Sequence, residues 1–306
     1  GAERAIKWGL TPVLHDGRGL ELARGVARGD SPLAVEVEVD TGMHRMGVPQ
    51  AEAPRLLAEI ERIPSLHLSG LFTHLARADE ADVKPSRDQV AALAEVLSAR
   101  GGDESAEGGR PCVHVANSAG LLRLEEIELE SVGLSSDAVR PGLLLYGVSP
   151  FEDRTGVELG LHPVMTLAAR VVTIRSVARG GAVGYGGEWR APRETRVATL
   201  PLGYADGIPR AVLGRGEVHL GGVLCPIVGR VSMDYIGVEI GNVAVEIGDV
   251  ATIFGQTPEG ESVPVERFAR AAGTIGYEML VGVGGRVPRR YGEGPPPGAE
   301  EVDDAV

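Results

Sequence analysis

The chain has 306 residues, 43% of them hydrophobic, and a formal net charge of −13. That length accommodates two domains with real cores, while the acidic balance argues against nucleic acid or an anionic membrane surface as a partner. No apolar run approaches the roughly 20 residues of a membrane span, and two cysteines, Cys112 and Cys225, give no disulfide framework, so a reducing cytoplasm is the default setting.

The first half alternates strand-like runs with amphipathic helices. Leu10–His15 reads as strand and Gly19–Ala27 as helix. Leu33–Asp40 (L-A-V-E-V-E-V-D) is strand and Ala51–Ile63 its helix. Leu68–His74 is strand, and Asp88–Arg100 is a helix with Val90, Leu93, Val96 and Leu97 on one face. A polar loop, Asp103–Arg110, leads to a strand at Pro111–Ala116, and Val139–Tyr146 is the last strand of the series. Strands separated by helices imply right-handed parallel βαβ units. Four of the five strands end in polar residues (His15-Asp16, Asp40-Thr41, Thr73-His74, Asn117-Ser118), and Arg140 lies near the start of the fifth. Polar groups gathered at strand ends are the mark of a (β/α)8 barrel mouth. About five strands cannot close a barrel without open edges, so the sequence implies either an open sheet or a partial barrel lacking about three βα units.

From about His162 the pattern changes to consecutive strands joined by glycine turns: Met165–Val177, Arg196–Leu202, Glu217–Leu220, Gly222–Val228, Arg230–Glu239 and Asp249–Phe254. Gly221-Gly222 reads as a hairpin turn. Short helices follow at Val265–Ala272 and Thr274–Leu280. The expected organisation is a barrel domain over 1–156, a mainly antiparallel β domain over 157–292 and a disordered acidic tail over 293–306.

Five short segments hold the candidate chemistry. In A-T-L-P-L-G-Y-A-D-G-I-P-R (198–210), Gly203 and Gly207 flank Tyr204, so a phenol can be aimed from a tight turn. D-T-G-M-H-R-M-G (40–47) follows a buried strand, and Arg45 there suits a bidentate carboxylate clamp. G-L-F-T-H-L (70–75) puts His74 at a strand end. H-V-A-N-S-A-G (114–120) places Ser118 where a hydroxyl and backbone amides would hold a phosphate. V-R-P-G-L-L-L-Y-G (139–147) sets Arg140 beside Gly142, a second point of close backbone approach. Each alone has a bland reading: a strand end, a solvated arginine, a structural histidine, an ordinary helix cap or an edge arginine. No GxGxxG, Walker loop or metal-spaced His/Cys cluster occurs, so no metal is expected.

Together, D-T-G-M-x-R-x-G, T-H, H-x-A-N-S, V-R-x-G-x-x-x-Y-G, G-Y-A-D-G, V-G-R-V-S-M-D and Y-E resemble bacterial alanine racemase, in order and spacing, from about Leu10 to Arg289. The resemblance implies a pyridoxal 5′-phosphate (PLP) isomerase that interconverts L- and D-alanine, supplying D-alanine for peptidoglycan. It makes Tyr204 a catalytic proton carrier reaching in from the partner subunit of a homodimer, and His74 its hydrogen-bonded neighbour. Arg45 corresponds to the binder of the substrate carboxylate, and Met233 and Asp234 to the partner's lining of the substrate entry. Arg140 matches the arginine on the cofactor's pyridine nitrogen, backed by His114. Ser118, Gly142, Leu143 and Tyr277 match the phosphate contacts. A racemase for serine or another amino acid, and an inactive PLP-binding remnant, are the alternatives. An amino-acid decarboxylase also pairs a barrel with a β domain, but the G-Y-A-D-G and D-T-G motifs favour a racemase.

Two departures from that family stand out. Many relatives have a carbamylated lysine where this chain has Glu38, so Glu38 is expected to hold Arg45. The family's PLP lysine lies in a V-V-K-A-N-A-Y-G-H-G-like segment after the first barrel strand, and no such run exists here; the sequence holds two lysines, Lys7 and Lys84, neither in that motif. With no initiator Met at Gly1 either, the sequence reads as an N-terminally truncated racemase, inactive alone. Residues 1–306 mixed with PLP should therefore yield no borohydride-sensitive absorption band that survives dialysis, and no D-alanine. A stable band mapping to Lys7 or Lys84 would contradict this.

Overall fold

In the computed structural model, which describes residues 2–27, 32–100 and 109–292, the chain divides into two units, Gly1–Gly142 and Leu143–Val306. The first contains α1 (Ala2–Lys7), β1 (Val13–Leu14), α2 (Gly17–Val26), β2 (Leu33–Asp40), the two-residue β3 (Val48–Pro49), α3 (Ala53–Glu61), β4 (Leu66–Phe72), α4 (Lys84–Arg100), β5 (Cys112–His114), α5 (Ser118–Leu122) and α6 (Leu124–Ile127). Strands β1, β2, β4 and β5 lie side by side in that order, all parallel, and β3 adds to β2. The alternation in β2 determines what each face of this sheet can do. Val35, Val37 and Val39 are fully buried on one face. Successive side chains point to opposite faces, so Glu36 and Glu38 occupy the other. Leu56, Leu57 and Ile60 of α3, with Val90, Leu93 and Val96 of α4, are buried in the helical layer. Gly70, opposite Glu36 in register, leaves the space that Glu36 fills: a Cβ there would lie 2.8 Å from Glu36 Cδ.

The sequence reading differs from the structure mostly at element ends. Leu10–His15 shrinks to two strand residues, and α4 begins at Lys84 rather than Asp88. The expected fifth strand is absent: Val139–Gly142 is extended loop, and Leu143–Tyr146 is a one-turn 3-10 helix. Pro141 removes a backbone donor and ends the run of pairing begun when Arg140 N bonds Ala116 O at 2.8 Å. Most of the polar loop at 103–110 and the tail at 293–306 lie outside the described residues. The division between units falls at Gly142, and the 156/157 boundary read from the sequence lies inside the second unit.

The second unit holds β6 (Leu167–Arg170), β7 (Thr173–Val177), β8 (Ala182–Val183), β9 (Trp189–Arg190), β10 (Thr195–Leu200), β11 (Glu217–Leu220), β12 (Val223–Val228), β13 (Ile236–Glu239), β14 (Val250–Gln256), β15 (Ser262–Val263), α7 (Val265–Ala272) and α8 (Gly276–Gly282). Its main sheet runs β15-β14-β11-β12-β13-β10-β7 with β6 on β14, antiparallel throughout. Met165–Val177, one strand in the sequence reading, is two. Val171 N bonds Asp249 O while Val172 N bonds Thr199 O, so consecutive residues serve opposite ends of a curled sheet. Leu200, Ile208, Leu220, Ile227, Ile236 and Phe254 are fully buried between the sheet and its helices. Gly221 and Gly222, both at positive φ, form the hairpin turn between β11 and β12.

Candidate active site

The C-terminal ends of the parallel strands bring the first set of site residues together. After β2, Asp40 Oδ1 accepts from the backbone N–H of Gly42, Met43 and His44 at 3.0–3.1 Å, and its Oδ2 lies 3.0 Å from His44 Nδ1. Burial works to raise the Asp40 carboxyl, but these donors outweigh it and hold it below the usual range. The resulting loop presents Arg45 to solvent, with no ion pair among the described residues. Glu38 does not hold it. Its Oε2 approaches His15 Nδ1 at 3.1 Å, at the end of β1, so the expected Glu38–Arg45 pair is corrected. Strand geometry explains why: Glu38 points inward two residues before β2 ends, whereas Arg45 leaves on the exposed loop.

Gln89 of α4 ties two of these ends together. Its Nε2 donates to Thr41 Oγ1 (3.2 Å) and His74 O (3.0 Å), and its Oε1 accepts from Ala76 N (2.8 Å). Thr41 and Thr73 hydroxyls meet at 2.7 Å. His74 is half-buried; burial, then the charges of Arg140 and Arg45, lower its pKa.

Arg140 is the hub. Its Nη2 donates to Thr73 O at 2.8 Å, and its Nη1 donates to His114 O at 3.0 Å and to His114 Nδ1. Arginine only donates, so Nδ1 is the unprotonated ring nitrogen. The proton then sits on Nε2, 3.4 Å from Glu36 Oε2. Phe72 stacks on His114 at 4.6 Å and lies 4.7 Å from Arg140 Cζ. Burial pulls the Arg140 pKa down, and Glu38 and Glu36 oppose that. Beside it, Asn117 caps α5 through Gly120 N (2.9 Å), and the buried Ser118 accepts from Gly142 N at its Oγ (3.0 Å). Space at Gly142 is open, with nothing within 4 Å of a Cβ built there.

The second unit assembles a separate cluster. Tyr204 heads a one-turn helix, Tyr204–Asp206, that is sealed against two neighbouring segments. Tyr204 N and Ala205 N donate to Ser232 O (3.0 Å) and Met233 O (3.1 Å). Gly203 is obligatory for that approach, because a Cβ would fall 2.2 Å from Met233 O. Tyr204 and Met233 keep 45% and 52% of their surface exposed, so both side chains are presented. Arg286 Nε lies 2.8 Å from Asp206 Oδ1, and its Nη2 lies 2.7 Å from Asp234 Oδ1. Leu143, buried, and Tyr277 of α8, half-exposed, also belong to this unit. Of the two lysines, Lys7 ends α1 ahead of β1, and Lys84 opens α4 with Nζ 2.7 Å from Asp88 Oδ2. Neither lies at a strand's C-terminal end.

Comparison with known proteins decides the family. The chain matches the model of the alanine racemase N-terminal domain over residues 1–150 and that of its C-terminal domain over 164–291. The chain belongs to the alanine racemase family. It is 36% identical over 302 residues to the alanine racemase of Sorangium cellulosum, covering 96% of this chain and 76% of that one. It resembles the alanine racemase structure from D-cycloserine-producing Streptomyces lavendulae with a TM-score of 0.84 at 35% identity, over 95% of this chain and 75% of that one. A second similar structure, from Bartonella henselae with covalently bound pyridoxal phosphate, has a TM-score of 0.76 at 28% identity, over 94% of this chain and 75% of that one. The parallel sheet with its helices is the barrel part of that fold and the curled antiparallel sheet its β domain, as expected from the sequence. No helix among the described residues is long and apolar enough to cross a membrane.

Glu36, Gln89 and Arg286 were not among the residues the sequence singled out, and Thr73 was marked only as a polar strand end beside His74. Glu36 is signalled by the charged positions of L-A-V-E-V-E-V-D, and Gln89 by a polar residue on the apolar stripe of α4. Arg286 has no such signal. His74 and His114 both have lowered pKa values, from burial first and Arg140 second. Such a histidine protonates later in the fold than in the unfolded chain, where its value is about 6.5. Stability is thus complete above about pH 6.5 and declines as pH falls through the folded values. NMR titration should place both imidazoles below the unfolded reference, and Arg140→Met should move His114 upward; an unmoved His114 would show that Arg140 does not bear on it.

Proposed function

We propose that this chain carries the PLP-binding and proton-transferring residues of an alanine racemase. The observation that supports this most is the Arg140–His114–Ser118–Gly142 cluster, which fits the cofactor at both ends. A permanently charged donor is offered to a basic ring nitrogen, and a hydroxyl with open backbone space is offered to a phosphate. The family resemblance assigns further phosphate contacts to Leu143 and Tyr277. Lys7 and Lys84 are not the covalent anchor: one precedes the first strand and the other is exposed and engaged by Asp88.

Bound there, PLP supplies a conjugated electron-accepting ring that acidifies the substrate's α-carbon proton. Arg140 cannot yield a proton, so it keeps the ring nitrogen a hydrogen-bond acceptor and tempers that electron withdrawal, limiting side reactions such as transamination. Arg45 binds the alanine carboxylate bidentately and so fixes which way the α-carbon faces. Tyr204 Oη takes or returns the proton on one face of that carbon, and His74 is its hydrogen-bonded neighbour. Tyr204, Met233 and Asp234 belong to the β domain while Arg45, His74 and Arg140 belong to the barrel, and we assign the completed site to a homodimer in which Tyr204 of the partner subunit acts. D-Alanine made in the cytoplasm for peptidoglycan is the matching role.

In the native enzyme, Tyr204→Phe should lower alanine racemisation at least about a hundredfold, the range for losing a positioned proton carrier. Arg45→Ala should act chiefly on KM. Chiral chromatography of the products reads both, and wild-type turnover by Tyr204→Phe would remove the tyrosine from the mechanism.

A further inference from the structure

We propose that Arg286 is a positioning residue that locks the Tyr204 turn to the Met233–Asp234 segment by spanning two carboxylates with one edge of its guanidinium. The inference rests on the roles given above to Tyr204 and Asp234. Asp206, two residues after Tyr204, is only 4% exposed. Its Oδ2 accepts from Gly203 N at 2.8 Å, closing the turn, and its Oδ1 faces Arg286 Nε at 2.8 Å. A buried carboxylate with a single backbone donor is costly, so Arg286 is the counter-charge that lets Asp206 close this turn.

The other end of the same edge, Nη2, holds Asp234 Oδ1 at 2.7 Å. Asp234 adjoins Met233, whose carbonyl is already bonded to Ala205 N. Tyr204 is therefore registered against Met233–Asp234 twice, through backbone hydrogen bonds and through Asp206–Arg286–Asp234. The segment that supplies Arg286 is itself anchored: Arg289 donates to Val283 O (2.6 Å) and Gly284 O (3.2 Å). Gly207, at φ +99, brings the turn against it, since a Cβ would lie 2.6 Å from Gly282 O. The rigid planar fork sets the spacing of the two carboxylates. Lysine would keep the charge and lose that spacing.

The test compares Arg286→Lys and Asp234→Asn with wild type in the native enzyme, reading thermal midpoint, amide hydrogen exchange, kcat and KM. Arg286→Lys should keep its thermal midpoint near wild type, exchange at least about tenfold faster in both 203–207 and 232–235, and lose kcat about tenfold with KM little changed. Asp234→Asn leaves the Asp206 grip in place, so it should speed exchange in 232–235 alone. Wild-type exchange in Arg286→Lys overturns the inference, and so does faster exchange with unchanged kcat, which would make Arg286 merely structural. Full activity in Tyr204→Phe would instead refute the role of Tyr204, and the exchange pattern would still decide whether Arg286 couples the two segments.

Discussion

Arg140 donates to Thr73 O and His114 O, so one cation joins the C-terminal ends of β4 and β5. An isolated buried cation costs several kcal/mol, more than one hydrogen bond returns. Here the cost is offset by two carbonyls, an imidazole nitrogen and two facing carboxylates, Glu36 and Glu38, projected from β2. The partners come from three neighbouring strands: the end of β4, β5, and one face of β2. The charge therefore holds the mouth together as well as serving a ligand. His114 is fixed in one tautomer by the same contact, and Phe72 packs flat against both groups. The site's polarity and its rigidity have one source.

The second unit solves the positioning problem differently. Gly203 lets the Tyr204 turn approach the Ser232–Met233 backbone more closely than any Cβ would allow, and Gly207 does the same against Gly282. Placement to a fraction of an ångström is what proton transfer demands, because small misplacements cost large factors in rate. Backbone-to-backbone packing meets that demand at the turn, and Arg286 extends it to Asp234. The tyrosine ring stays presented while its base is immobilised against the Ser232–Met233 and Gly282 backbones.

Much of this was legible in the chain. The alternating run L-A-V-E-V-E-V-D marked β2, and the one-sided Val90, Leu93, Val96 and Leu97 marked α4, because burial on one face imposes a repeat that side chains must obey. Tyr204, Arg140, Ser118 and His74 stood beside glycines or at strand ends, where chemistry is displayed. Other features escaped for physical reasons. Val139–Tyr146 has strand composition, but Pro141 and Gly142 turn it into loop and 3-10 helix. Met165–Val177 looks continuous because curling a sheet needs no change of composition at the corner. Glu38 was expected to meet Arg45 because it stands where many relatives have a carbamylated lysine and both flank one strand end. Strand direction and loop exit send the two side chains apart, and His15, from another strand, takes the place. Gln89 and Arg286 act across gaps in sequence of tens of residues, which only the fold closes.

The state of the pyridine nitrogen tests the role of Arg140 most directly. Native enzyme loaded with 15N-labelled PLP, observed by solid-state or solution NMR, should show a free-base ring nitrogen that accepts a hydrogen bond, and it should remain so across the neutral pH range. A pyridinium chemical shift at neutral pH would contradict this, since it would require an acceptor where Arg140 offers only donors.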